Sequence, residues 1–109
     1  MVDKDFDELK EKIEGKKKDD PLWRHYFSEF NLAREIDRYI KRNNDLSPDQ
    51  EQFLYKELVD LEIASKESDD TETLEHIGKA YSHLGDHDAA YETFKSASKI
   101  SSNIYENSR

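Results

Sequence analysis

Residues 74–94, LEHIGKAYSHLGDHDAAYETF, decide the fold of this chain because they combine two helical patterns with a turn between them. Small residues stand where paired helices must approach closely, and aromatic residues stand where such a pair needs bulk; they are Gly78, Ala80, Ala89 and Ala90, and Tyr81, Tyr91 and Phe94. Gly85 is typical of a helix end, and Asp86 is a good cap for the next helix. The stretch therefore predicts a hairpin with helices over 71–84 and 87 to about 100, in which the aromatic residues fill the centre.

The spacing within this hairpin resembles a tetratricopeptide repeat. The matching residues are Leu74-x2-Ile77-Gly78-x2-Tyr81, then Ala90-x3-Phe94 and Ala97. Two positions depart from the family pattern, since Leu74 stands in place of the usual Trp and Ser102 in place of the usual Pro. The resemblance covers one repeat, about residues 71–104, and implies a helical hairpin that binds another protein. It does not identify that protein.

One well-known role of the family does not fit this sequence. Repeats that clamp a chaperone's C-terminal carboxylate do so with Lys, Arg and Asn on the groove face of the first helix. The corresponding face here carries Glu72, Glu75, His76 and Lys79, with Ser82 further on. Two acidic residues at that place would repel a carboxylate, so we do not expect a chaperone-tail adaptor.

Length and charge limit the possible functions. The 109 residues suit one domain with a modest core. The net charge of −9 argues against nucleic acid, whose phosphates repel an acidic surface, and favours a basic partner or solubility alone.

The absence of cysteine excludes disulfides and thiol catalysis and fits a reducing compartment. No apolar run has the length of a signal-peptide core or a membrane span, so we expect a cytoplasmic protein without a membrane partner.

The N-terminal residues predict a short helix over 5–14. Its apolar residues fall on one helical face and are Phe6, Leu9 and Ile13. Asp5 and Glu8 have the spacing of a capping box, and Gly15 is the expected helix end. The lysines at 16–18 then indicate a solvated linker.

A longer helix is expected from Asp20-Pro21, a strong start signal, to Arg42. It carries a wide apolar stripe made of Leu22, Trp23, Tyr26, Phe27, Phe30, Ala33, Ile36, Tyr39 and Ile40. Such a stripe is more often core than ligand site. Because a small helical domain seldom covers both flanks of so wide a helix, we expect it to pair with a second copy or with another protein. The alternative is that the N-terminal helix folds back over the stripe and closes the monomer.

The third helix is expected over Pro48–Lys66, because Ser47-Pro48-Asp49-Gln50 combines an N-cap, a proline at the first helical position and a closing Gln. Its inward residues should be Phe53, Leu54, Leu58, Leu61 and Ala64. Residues 45–70 hold 9 acidic and 2 basic side chains, a local net charge of −7. A second complete repeat is absent because residues 43–48 break the helix. We therefore expect the two longer helices to cover one face of the hairpin and to leave the other open.

No motif in the sequence predicts catalysis. The four histidines, His25, His76, His83 and His87, lack a standard metal-ligand spacing. The three glycines lie too far apart for a phosphate loop, and no nucleophile sits in a recognisable motif. We therefore expect no enzyme activity, no cofactor and no metal site, with a small enzyme or metal-binding protein as the least favoured alternative.

The sequence thus predicts an all-α fold of about five helices in a single domain over 1–109. Its parts are a short N-terminal helix and linker over 1–18, two long helices over 20–67, the hairpin over 71–104 and a tail over 105–109. The leading hypothesis is a non-catalytic protein-interaction module, a small adaptor or scaffold that docks a peptide, a partner helix or a second copy. The alternative is an acidic neutralising protein of the antitoxin or immunity type that covers a basic partner. The candidate partner-binding residues are Trp23, Tyr26, Phe27, Phe30, Arg34, Glu75, Lys79 and Ser82.

Overall fold

The structure, a computed structural model, describes residues 3–17, 28–43 and 45–107. Within these ranges the chain forms five helices and no strand, so the all-α prediction is confirmed. The helices are α1 (Lys4–Lys17), α2 (Glu29–Arg42), α3 (Pro48–Glu67), α4 (Thr71–His83) and α5 (His87–Asn107).

The helix α4 lies at the centre of the fold. Four of its side chains, Leu74, Ile77, Ala80 and Tyr81, are at most 1% exposed. The neighbouring helices α2, α3 and α5 all pack against it. Because full burial of one large apolar side chain contributes about 1.5–3 kcal/mol, this shared helix supplies much of the apolar stabilisation of the domain.

The turn between α4 and α5 forms as the sequence predicts. Gly85 has φ = +88°, a left-handed conformation that glycine adopts without steric conflict. The N–H of Asp86 donates to the carbonyl of Tyr81, and the N–H of Gly85 donates to that of Ser82, which satisfies the last carbonyls of α4. The side chain of Asp86 then accepts from the N–H of Ala89 and caps α5. One short segment therefore ends one helix and starts the next.

The start of α3 and the start of α4 also follow their sequence signals. Ser47 and Gln50 form both bonds of the predicted capping box. Asp70 caps α4 by accepting from the N–H of Thr73 at 3.1 Å. The turn between the end of α3 and the start of α4 places Asp69 at φ = +55°, a conformation that few residues other than glycine adopt readily.

The expected start and end of the N-terminal helix are wrong. Asp3, not the pair Asp5 and Glu8, supplies the cap, because its carboxylate accepts from the N–H of Phe6 at 3.0 Å. The helix α1 also runs through Gly15 to Lys17. Glycine therefore lowers the helix propensity at this position without ending the helix.

The second helix begins later than the sequence predicts. Ser28 has extended backbone angles, φ = −75° and ψ = 165°, and its side chain accepts from the N–H of Asn31, so α2 starts at Glu29. A single continuous helix from Pro21 to Arg42 is therefore wrong, although the predicted start at Asp20-Pro21 itself lies outside the described residues. The last helix, by contrast, extends beyond the expected end near residue 100 to Asn107.

The helix α1 covers part of the wide apolar stripe on α2, and α4 also packs against α2. Leu9 is 5% exposed and Ile13 is completely buried in the same core as Ile36. The ring of Phe6 lies 5.8 Å from that of Tyr39, and the hydroxyl of Tyr39 donates to the carboxylate of Asp3 at 2.5 Å. Within the described residues α1 thus folds back onto α2, whereas Trp23, Tyr26 and Phe27 of the stripe lie outside them.

Candidate functional site

Five of the eight candidate residues lie within the described part of the chain. Trp23, Tyr26 and Phe27 lie outside it. Phe30 and Arg34 lie on α2, and the other three, Glu75, Lys79 and Ser82, lie on α4. Since α2 and α4 pack side by side, the structure brings these two groups to neighbouring helices.

Phe30 and His76 form a ring contact between α2 and α4. Their rings meet edge to face with centroids 4.9 Å apart, and the guanidinium of Arg34 lies 5.7 Å from the Phe30 centroid. Burial of the imidazole is the main reason that the pKa of His76 is lowered, and the positive charge of Lys79 adds to this shift. The Nδ1 of His76 and the Nε of Arg34 are buried without a hydrogen-bond partner.

A second histidine joins the same two helices. His83 Nδ1 lies 2.7 Å from Asp37 Oδ1, and it must be the donor because a carboxylate only accepts. His76 and His83, seven residues apart on α4, therefore share the face toward α2. His83 thus pairs with Asp37 and His76 packs on Phe30, so both histidines contact α2.

The other predicted residues on α4 are less enclosed. Glu75 and Lys79 are exposed, and Ser82 is half-buried. Glu75 and Lys79 carry opposite charges, and the ring of Phe30 packs on His76 of the same helix. This surface is thus polar and mixed in charge, which is typical of a solvated helix face.

A different surface stands out on α5. Tyr91 is 64% exposed and Phe94 is 38% exposed, and they lie one turn apart on the same helix. The buried face of α5 is formed by Ala90, Thr93 and Ala97, which point away from Tyr91. Two large aromatic side chains therefore lie together at the surface of the hairpin.

Five residues line this surface, which we call the α5 patch: Tyr91, Phe94, Lys95, Ser98 and Lys99. The ammonium of Lys95 lies 6.0 Å from the centroid of the Tyr91 ring, within the range of a cation–π contact. The two charges of the patch are both positive. Residues 93–105 contain no Asp or Glu, although the whole chain holds 26 of them.

The sequence does not predict the α5 patch, because Tyr91 and Phe94 are expected at the centre of the hairpin. Phe94 does contact α4, since its ring lies so close to Gly78 that an added Cβ would come within 2.7 Å of it. Only one side of the ring is covered in this way. The missed signal was the helical angle of Tyr91, which places it outside the face marked by Ala90 and Ala97.

Two further tyrosines have structural roles. The hydroxyl of Tyr81 donates to Glu62 at 2.9 Å, and that of Tyr55 donates to Asp86 at 3.0 Å. Burial and the bond to Glu62 raise the pKa of Tyr81, whereas the bond to Asp86 is the first cause of the raised pKa of Tyr55. These bonds tie α3 to α4 and to the turn that follows it. They keep both phenols protonated, so neither acts as a base near neutral pH.

Among the described residues, no three His, Asp or Glu side chains come together as metal ligands. The same residues include no helix whose length and apolar character would let it cross a membrane. Comparison with protein-family models, with curated proteins and with solved structures finds no match to this chain.

Proposed function

We propose that this chain is a non-catalytic protein-interaction module that docks a partner on the open face of its C-terminal hairpin. The observation that carries the proposal is the pair of exposed aromatic residues on α5, Tyr91 at 64% and Phe94 at 38% exposure. A soluble domain rarely leaves neighbouring aromatic side chains in water without a use for them. The partner is a peptide, a helix of another protein or a second copy.

The packing of the hairpin supports this proposal. The helix α4 is covered by α2, α3 and α5, whereas α5 itself packs mainly on α4. A helical hairpin of this kind buries one face against its neighbours and has a second face that needs another layer. The similarity to a tetratricopeptide repeat points the same way, and the absence of cysteine favours action in the cytoplasm.

The residue types of the α5 patch also suit a docking surface. Tyrosine offers a large rigid ring with a polar end, and aromatic residues supply much of the binding energy in known interfaces. Single truncations of such anchors weaken binding by about 2 kcal/mol or more, which is about thirtyfold in affinity.

The experiment compares capture of partners from the native host by the parent and by two variants. Tyr91→Ser removes the most exposed ring of the patch, and Ile63→Ser is the matched control because Ile63 is 54% exposed on α3, outside the patch. Both variants should melt like the parent. We expect a protein that is captured by the parent and by Ile63→Ser and is lost with Tyr91→Ser. Equal capture by all three would rule out the patch as the docking surface.

The alternative, a neutralising protein that covers a basic partner, has one observation in its favour. Residues 45–70 carry a net charge of −7, and they form α3 and the turns on either side of it. Not all of this charge reaches the surface, since Glu57 is only 1% exposed. A basic partner whose affinity falls steeply with salt and does not depend on Tyr91 would favour this alternative.

A further inference from the structure

The charge of the α5 patch is opposite to that of the protein that carries it. Its only charged residues are Lys95 and Lys99, one helical turn apart, in a chain with a net charge of −9. From these residues we infer that the α5 patch binds an acidic amphipathic helix, whose apolar side chains cover Tyr91 and Phe94 and whose carboxylates meet the two lysines. The inference rests on the proposed function and adds the chemistry of the partner.

The geometry of the patch favours a helix over an extended peptide. The described residues form no strand, so there is no sheet edge to which an extended segment could add. The backbone groups of α5 bond within the helix, which leaves side chains as the means of recognition. Beside the aromatic pair stand the exposed small residues Ser98, Ser101 and Ser102. Small side chains allow the axis of a second helix to approach closely, at about 8–10 Å.

The positions of the lysines favour carboxylates on that helix. The ammonium of Lys95 lies over the Tyr91 ring, so a group that covers this ring also meets the positive charge. Lys99 lies one turn further along the same face. A basic helix would place like charges at both positions and would leave the lysines unpaired at a partly dehydrated contact.

The overall negative charge does not remove this preference. At physiological salt, charges further apart than about 8 Å are largely screened, so the charge at the contact is set by Lys95, Lys99 and the exposed Glu92 one turn before Lys95, which together are net positive. The remote acidic residues slow the encounter with an acidic partner. A partner that is merely charged is therefore disfavoured by these acidic residues. A partner that also places apolar side chains on Tyr91 and Phe94 gains a contact that they do not oppose.

Two stapled helical peptides of about 15 residues test the inference directly. Both have the same leucine stripe, and one has glutamate and the other lysine at the flanking positions. Fluorescence anisotropy measures their binding to the parent, to Tyr91→Ser and to Lys95→Glu/Lys99→Glu. The matched control is Lys41→Glu/Lys56→Glu, which changes the net charge equally at exposed positions on α2 and α3.

We expect the parent to bind the glutamate peptide about tenfold or more tightly than the lysine peptide, since two exposed ion pairs each contribute modestly. The preference should reverse in Lys95→Glu/Lys99→Glu and persist in the control, and both peptides should lose affinity with Tyr91→Ser. A preference for the lysine peptide that still depends on Tyr91 would overturn the acidic partner and leave the docking surface in place. No binding of the glutamate peptide up to about 1 mM would also overturn the acidic partner. Binding that does not change with Tyr91→Ser would overturn the proposed function itself.

Discussion

Gly78 is the residue at which the hairpin is tightest. A Cβ at this position would lie 2.7–2.9 Å from three atoms of the Phe94 ring. Among the described residues these are the three nearest atoms, so the Phe94 ring is the first obstacle to a larger side chain in the middle of α4. Because Phe94 is 38% exposed, the ring can yield only by moving toward solvent.

A double-mutant cycle between Gly78 and Phe94 measures this contact. We expect Gly78→Ala to destabilise the parent by about 1–3 kcal/mol through overpacking. In the Phe94→Ala background the same change should stabilise by up to about 1 kcal/mol, because alanine is the better helix former and the obstacle is gone. Denaturant unfolding of the four proteins gives the coupling energy. An equal effect of Gly78→Ala in both backgrounds would show that the ring does not limit this position.

The partial exposure of Phe94 also changes what its loss should do. Replacing a fully buried phenylalanine by alanine lowers the free energy of unfolding by about 3–5 kcal/mol. That range suits the central position that the sequence suggests. With more than a third of the side chain in water, we expect a smaller cost in the same cycle, about 2 kcal/mol.

At the scale of elements, the sequence predicts well what depends on local signals. Ser47-Pro48-Asp49-Gln50 and Gly85-Asp86 each contain the atoms that end or start a helix, and both work as expected. The sequence does not predict the start of α2 at Glu29. The helix-start signal at Asp20-Pro21 is stronger than the one at Ser28, which is the residue that caps α2. For the α5 patch, the helical angle of Tyr91 relative to Ala90 and Ala97 is a signal in the sequence, whereas the exposure of Phe94 depends on which helices are its neighbours.

The contact between α2 and α4 should make stability depend on pH through His76. Burial next to Phe30 lowers the pKa of this histidine in the folded state, so the unfolded chain binds the proton more readily. The contribution of His76 to the free energy of unfolding is therefore fully present above the ordinary histidine pKa of 6.5, and it is lost as pH drops below that value. The charged groups around the ring are Arg34 and Asp37 on α2 and Glu75 and Lys79 on α4.

Denaturant unfolding between pH 7.5 and 5.5 tests this dependence. The contribution of one proton cannot exceed about 1.4 kcal/mol per pH unit. We expect His76→Gln to flatten the loss of stability, whereas His87→Gln, at the exposed first residue of α5, should keep the slope of the parent. If His76→Gln and the parent lose stability in parallel, the histidine is not the group that titrates.

At the scale of the whole molecule, the structure changes the case for self-association. The expectation of a dimer rests on an apolar stripe too wide for one domain to cover. Over α2 most of that stripe is buried within the chain, since Ala33 and Ile36 are completely buried and Tyr39 and Ile40 are at most 4% exposed. Part of the cover comes from α1, through Leu9 and Ile13.

Among the described residues the α5 patch is another candidate for self-association, and it is small for that purpose. A stable interface buries about 800 Å² per partner, far more than two partly exposed rings provide. The net charge of −9 adds repulsion between copies. We therefore expect sedimentation at micromolar concentration to show a monomer of 12.9 kDa.

The double variant Leu9→Ser/Ile13→Ser supplies the positive control for this measurement, because it loosens α1 and uncovers the stripe on α2. It should be less stable and should self-associate at the concentration where the parent does not. Tyr91→Ser should sediment like the parent. A dimeric parent that becomes monomeric with Tyr91→Ser would instead show that the natural occupant of the α5 patch is a second copy. A dimeric parent that is unaffected by Tyr91→Ser would place the contact elsewhere and would support the pairing that the sequence suggests.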